Sequence, residues 1–359
     1  MIAAEIEIED VASLVAVNSV SGNESRLASH VFDRLVANGD LEVERVGDNV
    51  IARTLGRHAS RLLVAGHLDT VPGDPSSAVL EGDVLRGLGA CDMKGSLAGM
   101  LHLATQPRRW PHEVTWVFYA REEIARTESG LLEVAQLRPD LLVADAAILA
   151  EPTGGCVEAG CQGSLRVEIS LHGQRAHTAR PFTGRNAIHR LGGLVGRVAN
   201  YEPREVLLDG VIFTEQLQVV SVRGGVAPNV VPDLASCVLN HRVAPDRSLE
   251  EALTWLRHFV GEFLEEDDEL VVLDWAPSAT PDLTDDHLAR LVRITGTAPR
   301  AKVGWTDVAT FRELGIASTN FGAGDPLLAH RSDEMVSLAD VRHFVRVLEE
   351  WLDSDVSFA

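Results

Sequence analysis

The sequence predicts an α/β protein: a mostly parallel-sheet domain into which a smaller α+β domain is inserted. Three observations predict it. Short apolar runs alternate with helical periodicities in the first and last parts of the chain, while the middle switches to period-two alternation in the order β-α-β-β-α-β. The chain also has 359 residues, more than the roughly 250–300 that one hydrophobic core usually serves.

Helical spacing opens the chain at Ile6–Val17 and Glu24–Val36, followed by strand-like runs at Leu41–Val46 and Val50–Thr54. Four further apolar runs, Leu62–Ala65, Val114–Tyr119, Ala146–Ala150 and Ile316–Phe321, have the length and composition of strands in a parallel sheet. Helical patterns at Ser96–Ala104, Gly130–Leu137 and Asp307–Leu314 separate them, and a helix at Leu338–Leu352 closes the chain. In the middle, strands are expected at Leu165–Leu171, Phe213–Val222, Leu234–Val243 and Leu270–Leu273, with helices at Arg185–Val198 and Leu249–Phe263. That order is the split βαβ arrangement, a four-stranded sheet with two helices on one face. The expected division is therefore 1–164 with 277–359 for the larger domain and 165–276 for the inserted one.

A formal net charge of -21 repels polyanions and argues against nucleic acid as a partner. No segment reaches the roughly 20 uninterrupted apolar residues that span a bilayer, so no membrane insertion is expected. Met1–Asp10 carries four acids and no base, unlike a secretory signal, and Cys91, Cys156, Cys161 and Cys237 form no disulfide framework. The expected compartment is the cytoplasm. One segment reverses the overall charge: between Ser164 and Asn200 six arginines (Arg166, Arg175, Arg180, Arg185, Arg190, Arg197) face one acid, Glu168. It reads either as a solvated helix face or as a basic wall that attracts a small anion. The acidic run Glu262–Glu269 reads as a solvated helix end or turn.

Ligand-type residues fall at the ends of the expected strands. His67 and Asp69 follow the first of the four runs, Glu122 and Glu123 the second, Glu151 the third, and His330 lies in the loop after the fourth. In a parallel sheet those ends share one edge, where open α/β folds bind ligands. Bare carboxylates gathered there would repel one another, and divalent metal removes the repulsion. Imidazoles mixed with carboxylates suit zinc or a similar first-row ion better than calcium or magnesium. Asp92, in the glycine-rich segment Gly87–Gly95, is the natural bridge between two ions. The Gly87-x-Gly89 start also resembles a dinucleotide-binding turn, but Asp92 occupies the third glycine position and would repel a pyrophosphate.

The segments Gly66-His67-Leu68-Asp69-Thr70-Val71-Pro72, Cys91-Asp92-Met93-Lys94-Gly95, Glu122-Glu123 and Glu151-Pro152-Thr153-Gly154-Gly155 resemble, in order, the metal-site motifs of the zinc aminoacylase and carboxypeptidase family. The resemblance extends over nearly the whole chain, through Glu158–Gly163, Arg175-Ala176-His177, Lys302–Val308 and Gly322–Pro326 up to His330. It implies two divalent metal ions per subunit, zinc first and cobalt second. His67, Asp92 and Glu151 would hold one, and Asp92, Glu123 and His330 the other. Glu122 would be the general base, because a carboxylate bound to zinc is a poor proton acceptor, and Asp69 would orient His67. The inserted domain would be a lid and dimerisation domain of a homodimer, with His177 steadying the oxyanion in the second subunit's site.

The same resemblance implies an amidohydrolase acting on a small anionic N-acyl amino acid. The stretches after Glu151 point to N-succinyl-LL-diaminopimelate, cleaved to succinate and LL-diaminopimelate in lysine and cell-wall biosynthesis. Asn229, Arg242, Ser164 and Gly324 match substrate-contacting positions, and arginine suits bidentate carboxylate binding. Leu88 and Cys91 replace an arginine and a serine common beside the bridging aspartate, and Cys161-Gln162 stands where some relatives have arginine. Deacylation of an acetylated amino acid such as acetylornithine, cleavage of a dipeptide, and a metal-free scaffold are the competing readings.

Overall fold

A computed structural model describes residues 5–56, 58, 60–73 and 78–354. The chain forms two compact units: Met1–Gly160 with Pro281–Ala301 and Asp307–Ala359, and Cys161–Thr280 with Lys302–Thr306.

In the first unit eight strands lie side by side in the order Leu41–Val46, Asn49–Thr54, Glu113–Tyr119, Arg61–His67, Ala146–Leu149, Ala317–Asn320, Glu158–Ala159 and Arg300–Ala301. Arg61–His67 runs parallel to both Glu113–Tyr119 and Ala146–Leu149, and Ala146–Leu149 runs parallel to Ala317–Asn320. The fold is thus mixed α/β with a mostly parallel main sheet. Every residue of Glu113–Tyr119 is buried, the mark of a central strand covered on both faces. One cover is the helix Gly95–Thr105, buried on nearly every side because Leu338–Asp353 packs over it. Gly99 is what permits that approach: a Cβ there would lie 2.9 Å from the Phe344 ring. Leu338–Asp353 starts with Ser337 and Asp340 in reciprocal hydrogen bonds and buries Val341, Phe344, Leu348 and Trp351 along one stripe. A three-stranded sheet of Met335–Ser337, Val84–Arg86 and Val79–Glu81 had no counterpart in the sequence reading, since each strand has only three residues. It joins the strand just before the Gly87–Gly95 turn to the strand just after the His330 loop.

In the second unit Gln216–Gly224, Leu234–Val243, Gly163–His172 and Glu269–Ala276 form an antiparallel sheet in that order. Helices Ala187–Ala199 and Leu249–Val260 supply Leu191, Leu194, Leu256 and Val260 to a core shared with Leu165, Val167, Ile169 and Leu239. Residues 161–164, 277–280 and 302–306, expected with the larger domain, belong to this unit. The Lys302 carbonyl accepts the Gln162 N–H, and the Trp305 indole donates to the Pro277 carbonyl.

One charge reading changes. Arg166 pairs with Asp274, Arg175 with Asp233, Arg185 with Glu265 and Arg190 with Asp268, so four of the six arginines are neutralised by acids outside their segment. The basic wall is largely cancelled. The acidic run is a solvated helix end and turn as expected, with Glu262, Glu265, Glu266, Asp267 and Glu269 exposed and only the Asp268 side chain buried, against Arg190. The expected strand Phe213–Val222 is also broken. Val211–Thr214 pairs with Glu205–Leu208, and the break falls at Glu215, whose carboxylate is 0% exposed. Glu215 accepts two hydrogen bonds from Arg204 and one each from Arg247 and the Ala244 N–H. Burial alone would raise its pKa, but His241 and Arg204 outweigh burial and hold it at about 2. Removing the carboxylate strands those cations, so Glu215→Ala is expected to lower unfolding free energy by about 3–5 kcal/mol, measured by urea titration.

Candidate metal centre

The parallel strands deliver their carboxyl ends to one edge, and there the ligand-type side chains converge. His67 ends its strand, while Glu122, Glu123 and Glu151 stand just past the ends of theirs. Asp92 comes from the turn before Gly95–Thr105 and His330 from the loop after Ala317–Asn320. Ligand atoms of His67, Asp92 and Glu123 lie within 4.8 Å of one another.

Asp92 sits at the centre. Its Oδ1 lies 3.1 Å from His67 Nε2 and its Oδ2 3.3 Å from His330 Nε2. His330 Nε2 is also 2.8 Å from Glu123 Oε1, and His67 Nε2 is 3.9 Å from Glu151 Oε1. One carboxylate therefore presents each oxygen to a different imidazole, and each imidazole has a second carboxylate beyond it. Burial opposes charge on Asp92, but His330 and His67 outweigh it and hold the carboxyl far below its usual range. Hydrogen bonds to Asp92 and Glu123 raise His330 to about 10. Burial would lower His67, yet Asp69 and Asp92 push it well above its ordinary value. Glu122 goes the other way. Burial first, then the charge of Glu151, raise its carboxyl well above the usual range, Glu123 adding to the effect and His67 opposing it.

Asp69 organises the backbone behind these groups. Fully buried, it accepts the N–H of Glu122 at 2.9 Å, the N–H of Glu123 at 3.0 Å and the Ser21 hydroxyl at 2.7 Å. Its own carbonyl lies 3.0 Å from His67 Nδ1. With the Nδ1 proton directed at that carbonyl, replacement of the Nε2 proton by a metal ion would turn the Nε2 lone pair to the ion beside Asp92 and Glu151, the tautomer a metal ligand requires. The donor set fits a pair of divalent ions: inward-facing Nε2 atoms, a two-sided carboxylate and flanking acids that need compensating positive charge.

Glu24 is a contributor that sequence reasoning missed. Arg121 adopts φ 62°, a left-handed conformation unfavourable for a side chain of its size. Its N–H donates to Glu24 Oε1, its Nε to the Glu128 carbonyl and its guanidinium to Glu133. Glu24 also accepts the Gly22 N–H at 2.8 Å and is completely buried. The only signal was an acid at the start of a helix in Ser21-Gly22-Asn23-Glu24, which ordinarily reads as a surface cap.

The remaining expected residues occupy other places. His177 and Asn229 are exposed on adjacent loops of the second unit, where the Thr178 N–H donates to the Asn229 carbonyl. His177 Nδ1 accepts the Ala179 N–H at 3.0 Å, which leaves the ring proton on Nε2. Arg242 and Ser164 face each other across neighbouring strands. Gly324, in the first unit, has φ 92°, and a Cβ there would lie 2.7 Å from Cys91 Sγ.

Residues 63–354 match the peptidase family M20/M25/M40. The chain belongs to that family. This M20 chain is 46% identical over 348 residues to a Mycobacterium tuberculosis protein provisionally named succinyl-diaminopimelate desuccinylase DapE, covering 96% of this chain and 97% of the relative. It is 42% identical over 351 residues to the succinyl-diaminopimelate desuccinylase of Corynebacterium glutamicum, covering 94% of each. Among solved structures it resembles a Staphylococcus aureus tripeptidase, with a TM-score of 0.79, 19% identity and 96% of each chain covered. It also resembles YXEP of Bacillus subtilis, titled a dinuclear metal-binding peptidase of family M20, with a TM-score of 0.70, 17% identity and 97% and 98% coverage. Among the described residues no helix of this M20 chain is long and apolar enough to cross a membrane.

Truncating Glu24 removes the acceptor from two part-buried backbone N–H bonds, those of Gly22 and Arg121. Glu24→Ala is expected to lower stability by about 1–3 kcal/mol, read by denaturant unfolding of the metal-free protein.

Proposed function

We propose that this chain is a two-metal amidohydrolase that converts N-succinyl-LL-diaminopimelate and water to succinate and LL-diaminopimelate in the cytoplasm. The observation that carries the chemistry is Asp92, with one oxygen toward His67 and the other toward His330. The substrate rests on the two desuccinylase relatives, which match this chain at 42–46% identity over at least 94% of its length.

His67, Asp92 and Glu151 would hold one ion, and Asp92, Glu123 and His330 the other, with zinc the first choice for this mixed donor set and cobalt the second. When bound, such a pair polarises the amide carbonyl and acidifies water. Glu122 performs the proton transfers: it takes a proton from the attacking water and returns it to the departing nitrogen as the C–N bond breaks. The environment suits that task, since burial and neighbouring carboxylates make Glu122 a stronger proton acceptor than a free glutamate. Asp69 fixes the Glu122 and Glu123 backbone through their N–H groups.

The second unit is assigned the part of lid and dimer contact. An exposed His177 with its proton on Nε2 is suited to donate to an oxyanion in a second copy's site. Arg242 suits a substrate carboxylate: it is partly buried, and among the described residues no acid pairs with it. Asn229, Ser164 and Gly324 complete the proposed substrate contacts. The four cysteines are free thiols, as a reducing compartment requires.

Glu122→Gln is expected to keep both ions, measured by elemental analysis, while kcat falls about 10²–10⁴-fold. Wild-type turnover in that variant would remove Glu122 from the mechanism. On a panel of N-succinyl-LL-diaminopimelate, N-acetylornithine and dipeptides with the zinc-loaded enzyme, succinate release should exceed the other reactions by at least about tenfold in kcat/KM, a difference of about 1.4 kcal/mol. Faster release of acetate from acetylornithine would overturn the substrate assignment.

A further inference from the structure

Asp92 and His330 are 238 positions apart in the sequence, yet Asp92 Oδ2 and His330 Nε2 lie 3.3 Å apart. Each sits on irregular backbone. Asp92 belongs to a turn with non-helical dihedral angles at Asp92 and Met93, and His330 has φ 62°. Neither segment holds such a shape by local propensity, so something between them must fix it.

Glu334 occupies that place. It is 2% exposed, and its Oε1 accepts the N–H of Cys91 at 2.8 Å and of Asp92 at 2.9 Å. Its Oε2 accepts the Gly89 N–H at 3.0 Å, and its main-chain carbonyl accepts the Gly87 N–H at 2.9 Å. Four hydrogen bonds thus run from one residue to the segment 87–92. On the other side the Glu334 N–H donates to the Arg331 carbonyl, closing the turn next to His330. Met335–Ser337 then pairs with Val84–Arg86, so the two segments leave the site side by side. The carboxylate sits in a small anion nest: the backbone N–H groups of Gly89, Cys91 and Asp92 point at a side chain of the protein itself.

We propose that Glu334 is a positioning residue for the second metal ion, tying the turn that carries Asp92 to the loop that carries His330 and so setting the span between those two ligands. The inference rests on the two-metal reading above and adds to it a residue that touches neither ion nor substrate. The two carboxylate oxygens between them accept all three side-chain contacts. A glutamine offers one acceptor oxygen and turns an N–H₂ group toward a backbone N–H, so one end of the staple is replaced by repulsion between donors.

The test compares wild type, E334Q and E334D, all prepared metal-free and titrated with Zn²⁺ and with Co²⁺. Wild type should take up two ions per chain. E334Q should bind the first ion nearly as wild type and the second about 10–100-fold more weakly. Its two-cobalt visible spectrum should be altered, and kcat at saturating metal should fall with KM little changed. E334D keeps the charge but is one methylene shorter, and should fall between the two; it carries the test if E334Q does not fold. Wild type binding fewer than two ions would defeat the two-metal reading itself. Two ions in wild type, with unchanged second-ion affinity and cobalt spectrum in the folded variants, would overturn the role of Glu334 and leave that reading standing.

Discussion

Crowding of like charge at one sheet edge is the constraint around which the first unit is organised. Asp92, Glu122, Glu123 and Glu151 approach one another where burial leaves little water to screen them, and carboxylates so placed cannot all ionise without compensation. His67 and His330 supply part of it, and the proposed ion pair would supply the rest. The same crowding separates the roles: Asp92, flanked by imidazoles, is held ionised, while Glu122, facing other acids, is pushed toward holding a proton.

Behind the ligand set stands a ring of buried carboxylates whose partners are mainly backbone N–H groups. Asp69 holds the Glu122 and Glu123 amides, Glu24 the Arg121 amide, and Glu334 the amides of Gly89, Cys91 and Asp92. Charge-assisted bonds of this kind are stronger than neutral ones and aim irregular backbone that no propensity would stabilise. They also explain how Arg121 keeps a left-handed conformation beside the site. The second unit uses a related device for a different end. Glu215, buried beneath Arg204 and Arg247, breaks a strand and anchors the corner where Gln216–Gly224 enters its sheet.

The ligand residues were legible because strand ends can be read from short apolar runs, and parallel strands put their ends together. His67, Glu122, Glu123 and Glu151 follow that rule directly. Glu24 and Glu334 were not legible, because an acid before a helix or in a loop ordinarily reads as a solvated surface residue. The arginines between Ser164 and Asn200 misled for the converse reason: their partners Asp233, Glu265, Asp268 and Asp274 come from other parts of the chain. Residues 302–306 changed units because their bonds to 162 and 277 are long-range.

The sequence by itself determined the α/β alternation, the β-α-β-β-α-β order in the middle and the identity of the metal-type donors, since periodicity and residue chemistry are local properties of the chain. Tertiary structure alone decided which oxygen of Asp92 faces which imidazole, which acids are held ionised or pushed toward protonation, and which buried carboxylates hold the turns. Those outcomes depend on distance and desolvation between segments far apart in the chain, and neither quantity is written in residue order.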